Sequence, residues 1–242
     1  MPRSQSKPKA HVRVLQAALL LMLLSTLSGC VYLRLLKFKQ QLKDFDEYVA
    51  VERGDGLAFK MLDPVLRDDD FVFITESQPS RIRSLSLQPL VEDWEWTFEK
   101  KLEAEDDAPF EITFRTRFEE GMLTRIDFDP QLLEAIPEDF IVQLFKSLGE
   151  ARINKLRRSA TATMTRDSLT EVPLPSLAEI STLMGQPTDK KRAENRRHWR
   201  YVFNFYNPKN KDLSGQFNIV FKAESDDTEK EISGFEVTGK AR

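Results

Sequence analysis

Cysteine occurs once in this chain, at position 30, and histidine twice, at positions 11 and 198. One thiol excludes any internal disulfide. His198, flanked by Arg196, Arg197 and Trp199, has no second histidine near it with which to build a metal centre. The motifs Gly-x-Ser-x-Gly, His-Glu-x-x-His and Gly-x-x-x-x-Gly-Lys-Ser/Thr are absent. Serines therefore lack an evident base, and carboxylates are plentiful but nothing pairs them for two-acid hydrolysis. This scarcity of acid–base players points away from an enzyme, and no cofactor or metal is expected. The longest apolar run, residues 14–27, falls short of the roughly 20 residues of a membrane-spanning helix.

That run sits in a recognisable setting. Arg3, Lys7, Lys9 and Arg13 precede it with no acid among them, and small residues follow it. A basic start, an apolar middle of about 7–15 residues and a small-residue cleavage point describe a secretory signal peptide over residues 1–29. Leu27-Ser28-Gly29-Cys30 resembles the lipobox of bacterial lipoproteins. The resemblance implies cleavage between Gly29 and Cys30, a diacylglycerol on the Cys30 sulfur, and a further acyl chain such as palmitate on the freed amine. One chain gives only marginal membrane residence, at about 0.8 kcal/mol per buried CH₂, whereas three would hold lastingly. In that family an Asp after the cysteine retains the protein in the inner membrane. Val31 stands there instead, which implies the outer membrane, on its periplasmic side.

Removing residues 1–29 takes away four positive charges and no negative ones, so the formal net charge of -3 becomes about -7. So acidic a body is not expected to bind nucleic acid. Apolar residues at 40% and aromatics at 10% suffice for a packed core.

Along the chain, Leu35, Phe38, Leu42 and Phe45 recur at helical spacing, so residues 30–47 are expected to form a tether or short amphipathic helix. Lys37, Lys39 and Lys43 would then face solvent or rest near lipid headgroups. Residues 48–137 read as a first unit. Val49–Val51 and Leu57–Met61 flank a Gly-bearing turn, as in a hairpin. Asp68, Asp69 and Asp70 open a helix that stops at Ser77-Gln78-Pro79; three aspartates also suit a metal, but capping accounts for them. Trp94/Trp96/Phe98, Phe110/Ile112/Phe114 and Met122–Phe128 alternate apolar and polar residues, as half-buried antiparallel strands do. Residues 138–175 read as a connecting helix, Glu138 to Arg158, followed by a polar linker from Ser159 to Pro175.

Residues 176–242 read as a second unit that parallels the first. Ile180 to Pro187 matches Ile74 to Pro79; Trp199/Tyr201/Phe203 matches Trp94/Trp96/Phe98; Phe217/Ile219/Phe221 matches Phe110/Ile112/Phe114. The offsets are 108, 105 and 107 residues, nearly constant, as a duplicated unit would give. The expected fold class is α+β: a two-layer tandem repeat in which a helix packs on a three-stranded antiparallel β-meander, leaving the other sheet face polar.

Leu183-Met184-Gly185-Gln186-Pro187 ahead of an aromatic strand resembles the BamE (SmpA, OmlA) family of small outer-membrane lipoproteins, best over residues 176–237 and weakly over 65–128. That family is associated with the assembly of outer-membrane β-barrels. The two-unit layout is also similar to the tandem fold of the secreted β-lactamase inhibitor protein. The resemblance implies a scaffold that meets an envelope protein partner. Lys190, Lys191, Arg192, Arg196, Arg197 and Trp199 form a basic run in an acidic body, either a solvated loop or a contact for an acidic partner or for lipid phosphates. The other function class left open is a carrier or sensor of an amphipathic ligand, which needs a concave apolar pocket of about 300 Å³ or more.

Overall fold

The computed structural model describes residues 31–241, except 55, 76, 105–106, 155–158, 167–173, 194–195 and 225–226. Residues 1–29, expected to be a signal peptide, and Cys30 lie outside the described residues. Six helical segments occur: α1 (residues 31–43), α2 (Phe45–Tyr48), α3 (Asp68–Thr75), α4 (Pro130–Ala135), α5 (Glu138–Gly149) and α6 (Leu177–Met184). No described helix is long and apolar enough to cross a membrane.

Twelve strands form one antiparallel sheet. They are β1 (Val49–Arg53), β2 (Leu57–Met61), β3 (Arg81–Leu87), β4 (Leu90–Lys100), β5 (Glu111–Glu119), β6 (Met122–Phe128), β7 (Arg152–Asn154), β8 (Ser159–Thr165), β9 (Asp189–Ala193), β10 (Arg196–Tyr206), β11 (Leu213–Ala223) and β12 (Gly234–Ala241). Their order is β1-β2-β6-β5-β4-β10-β11-β12-β8-β7, with β3 beside β4 and β9 beside β10. The order reads alike inward from either edge: a hairpin, then a three-stranded meander entered by its last strand.

This corrects the expected two-layer tandem of a helix on a three-stranded meander. The meanders do not stand alone. The β1–β2 hairpin joins β6 through Phe59↔Ile126, β8 joins β12 through Phe235↔Met164, and β4 joins β10 through Lys100↔Phe203. A lone meander would leave two rows of backbone donors and acceptors unpaired, and continuing the sheet satisfies them. Three segments not expected as strands are strands. Arg81–Leu87 follows the helix stop, Ser159–Thr165 had the polarity of a linker, and Asp189–Ala193 was a basic run. The expected helix from Glu138 to Arg158 ends at Gly149, where the chain turns into β7.

One face of the sheet carries the core. On β4 and β5 it presents Trp94, Trp96, Ile112, Thr116 and Phe118; on β10 and β11, Trp199, Tyr201, Phe203, Phe205, Ile219 and Phe221, all buried. Aromatic rings close the β4–β10 seam: Phe205 lies 5.6 Å from Trp96 and 5.1 Å from Phe98, and Phe98 lies 5.0 Å from Phe217. Such pairs each add about 0.5–1.5 kcal/mol beyond area burial.

The helices cover this face. α3 sets Phe71 against Trp96 and Phe118, and α5 sets Phe140 against Phe235. α1 buries Leu42, while Phe45 of α2 meets Phe59 edge-on. Gly149 lies where the end of α1 crosses α5. A Cβ there would stand closer to the Lys43 backbone than any real Cβ contact, so only glycine permits this approach.

α6 has only eight residues and needs its ends fixed. Ser176 accepts from the Glu179 N–H at 3.1 Å while Glu179 accepts from the Ser176 N–H at 2.7 Å, a reciprocal capping box. The Ser176 backbone N–H holds the Glu179 carboxyl below its ordinary 4.5. A lowered carboxyl stabilises the fold fully above that ordinary value and loses its effect as pH falls through the lowered one. Ser176→Ala is expected to cost about 1 kcal/mol, while Glu179→Gln, which removes the titrating carboxyl, should flatten this acid limb, as urea titrations at neutral and acid pH would show.

Candidate functional site on the open sheet face

Register parity sends alternate side chains to the face opposite the core; the charged ones in the first half of the sheet are exposed or half-buried, while Ala58, Val202 and Asn204 are buried. In the first half of the sheet this face is a lattice of charge. One cross-strand row runs Glu52, Ala58, Asp127, Arg115, Glu95, Arg81; the next runs Lys60, Arg125, Arg117, Asp93, Arg83. Arg117 grips Asp93 through two hydrogen bonds, of 2.8 and 3.1 Å, and that carboxylate raises the guanidinium's pKa. Arg125 bridges Glu52 and, at 2.7 Å, Asp127; its hydrogen bond lowers the pKa of Glu52. Arg81, Arg83 and Arg115 are exposed and have no ion-pair partner among the described residues.

Toward the seam the charges give way to hydroxyls and amides. Thr113 donates to Thr97 at 3.3 Å, Gln216 to Asn204 at 3.0 Å, and Asn204 to the Tyr206 hydroxyl at 2.9 Å. Thr161 and Thr238 share a hydrogen bond of 3.1 Å. Beyond them charge returns: Lys222 meets Glu236 at 3.3 Å and Arg200 meets Asp189 at 3.4 Å.

The basic run flagged in the sequence is the β9–β10 hairpin, whose pairing distributes it over both faces. Arg192 lies opposite Arg197 and Lys190 opposite Trp199, on the core-facing side. The Lys190 ammonium sits 4.9 Å from the centre of the Trp199 ring and donates to Gln186 at 2.7 Å. Lys191 lies opposite His198 on the open side, with Arg196 two residues from His198 on that same side. The run is therefore not one patch: a slice of it continues the open face, and Lys190 shields the edge of the core. Cys30 is outside the described residues.

The arginines of β5 and β6 were not singled out in the sequence. Arg115-x-Arg117 and Arg125-x-Asp127 are visible there as the wet positions of alternating strands. Their joining into rows depends on partners such as Glu52, 73 residues away from Arg125.

A groove of about 820 Å³ runs between α5 and β8, lined by Lys43, Gln143, Lys146, Glu150, Met164 and Glu236 among others. Its lining is charged as much as apolar. No protein-family model, curated protein or solved structure matches this chain.

Proposed function

We propose that this protein is a lipid-anchored interaction module of the bacterial cell envelope, held to the outer membrane by Cys30 and facing the periplasm. In this reading it serves outer-membrane assembly or maintenance by presenting its open sheet face to an envelope protein. The charged rows of this face, with Arg81, Arg83 and Arg115 exposed, are the observation that carries the reading. A sheet of this size normally buries both faces or solvates one. Here the solvated face carries arginines left unpaired in an otherwise acidic body, a pattern that steers and registers a partner bearing carboxylates. The lipobox-like residues and the absence of a catalytic constellation in the sequence support the same reading, and the likeness to the BamE family supports it by analogy of layout alone.

The test joins chemistry at residue 30 with contact at the face. Mass spectrometry of the native protein is expected to find Cys30 as an acylated first residue. A photo-crosslinking side chain at Arg81, exposed in the same cross-strand row as Arg115, is expected to trap one envelope protein in intact cells. Arg83→Glu with Arg115→Glu should cut that yield about tenfold or more, while stability stays within about 0.5 kcal/mol, the usual range for exposed sites. A bare thiol with the leader still attached, or crosslinks indifferent to charge reversal, would sink the proposal.

A further inference from the structure

Exposed apolar side chains gather beside the start of the described chain, apart from a second group, Ile82, Leu85, Leu87 and Leu90, on the β3–β4 hairpin. Tyr32, Leu33 and Leu36 lie on the outward side of α1; Leu33 is 66% exposed and Leu36 52%. The Tyr32 ring meets the exposed Phe73 of α3 edge-on at 5.8 Å, and Ile74 beside it is exposed as well. The patch thus spans two elements that are far apart in sequence. Later along α1 the outward positions turn polar, with Gln40 and Lys43 exposed. The apolar surface is therefore confined to the two turns that follow Cys30.

Two of the three lysines of α1 face carboxylates of the body. Lys37 pairs with Asp63 at 3.1 Å, and Lys43 approaches Glu150 at 3.7 Å. Arg34 is locked onto Asp70, which fixes α1 on α3 and makes the patch one rigid surface. Tyr32 is two residues from Cys30, and two residues span at most about 7 Å. Acyl chains at Cys30 would hold Tyr32 within about 7 Å of the lipid surface, with Leu33 beside it and Leu36 one helical turn further on. A contiguous apolar patch on a charged body otherwise costs solubility.

We propose that the Tyr32/Leu33/Leu36/Phe73/Ile74 surface seats in the lipid headgroup–acyl boundary and fixes how the body stands on the membrane. The occupant is the bilayer itself, and the inference rests on the lipid-anchor reading above. The anchor then acts as one point of attachment and the patch as a second, so the body is oriented rather than free to swivel about a single residue.

The experiment uses the mature lipidated protein on vesicles of phosphatidylethanolamine with a minor share of phosphatidylglycerol. Leu33→Trp places an indole on the patch, and Leu87→Trp places one on the exposed β3–β4 hairpin. With brominated acyl chains, the emission that Leu33→Trp adds to that of the three native tryptophans is expected to fall about twofold, as for apolar faces buried roughly 5–10 Å deep. Leu87→Trp emission should not change. In the unlipidated Cys30→Ser chain, Leu33→Asp with Leu36→Asp should weaken vesicle partition about tenfold or more, from the lost transfer of two leucines. Unchanged thermal unfolding shows these variants to be folded.

Lipidated Cys30 with unquenched Leu33→Trp overturns the patch and leaves the anchor standing. A bare Cys30 with partition that still depends on Leu33 and Leu36 overturns the anchor and leaves the patch standing. Sedimentation in which the aspartate pair converts a dimer to a monomer overturns the patch in favour of self-association.

Discussion

Replacing Asp70 with alanine is expected to lower stability by about 3–5 kcal/mol, the cost of stranding one member of a buried ion pair. Asp70 is fully buried. Its two oxygens accept from Arg34 Nε at 2.7 Å and Arg34 Nη2 at 2.6 Å, and Oδ2 also accepts from the Arg67 backbone N–H at 2.8 Å. The bidentate geometry fixes α1 against α3, two elements 36 residues apart. Without the carboxylate, Arg34 keeps Asp69 at 3.5 Å but loses its bidentate partner, and with it the buried tie between α1 and α3. Urea unfolding should show the loss, and hydrogen exchange should show residues 31–43 opening below the global transition. Asp70→Asn should fall between wild type and alanine, because an amide oxygen still accepts from Arg67. Pairing Asp70→Leu with Arg34→Met should recover part of the loss, since removing both charges leaves neither stranded. A change under about 1 kcal/mol for Asp70→Ala, within the range of an exposed pair, would show that α1 is held by its apolar contacts alone.

Lys100→Ala is the second large effect, expected at about 3 kcal/mol from two unpaired carbonyls and the space left by the stem. Lys100 is 5% exposed, unusual for a lysine. Its ammonium donates to the Met184 carbonyl at 2.9 Å and the Gln186 carbonyl at 3.2 Å, closing the end of α6 from across the β4–β10 seam. The Tyr201 hydroxyl adds a hydrogen bond to the Gly185 carbonyl at 3.0 Å. Gly185, at φ 70°, would set a Cβ 2.9 Å from the ammonium, so the turn and the lysine are fitted to each other. Lys100→Met keeps the stem and should lose less than alanine.

The same clasp sets the alkaline behaviour. Burial lowers the Lys100 pKa from its ordinary 10.5. Between the lowered value and 10.5 the unfolded chain binds more protons than the folded one, so this lysine makes stability rise with pH. Tyr201 works the other way: burial raises it above its ordinary 10.0, so its contribution is intact below that value and lost as pH climbs past it. Urea midpoints followed from neutral pH past 10.5 should therefore lose their rising component in Lys100→Met and their falling component in Tyr201→Phe.

Which parts of this molecule were legible follows from the range over which each signal acts. Period-two alternation wrote β4, β5, β6, β10 and β11 directly into the sequence, because which face a strand residue takes depends only on its neighbours. The β1–β2 hairpin, the aspartate-led α3 and the seam-forming aromatics were readable for the same reason. Strand β8 was not. Its Thr and Ala residues carry the polarity of a linker, and it becomes a strand because β12 offers it a row of donors and acceptors about 75 residues further on. β9 likewise looked like a charged loop until β10 paired with it.

The chain by itself determined the strand grammar, the polar face, the acidic balance and the residues from Leu27 to Cys30 that suggest an address. Tertiary structure alone decided that the meanders fuse into one sheet through Lys100 and Phe203. It alone made Asp70 the buried partner of Arg34, spread the basic run over two faces, and gathered Arg81, Arg83 and Arg115 onto one. Side-chain direction is a local property of the backbone; partnership across a sheet is a long-range one, settled only when distant segments satisfy each other's hydrogen bonds and bury each other's rings.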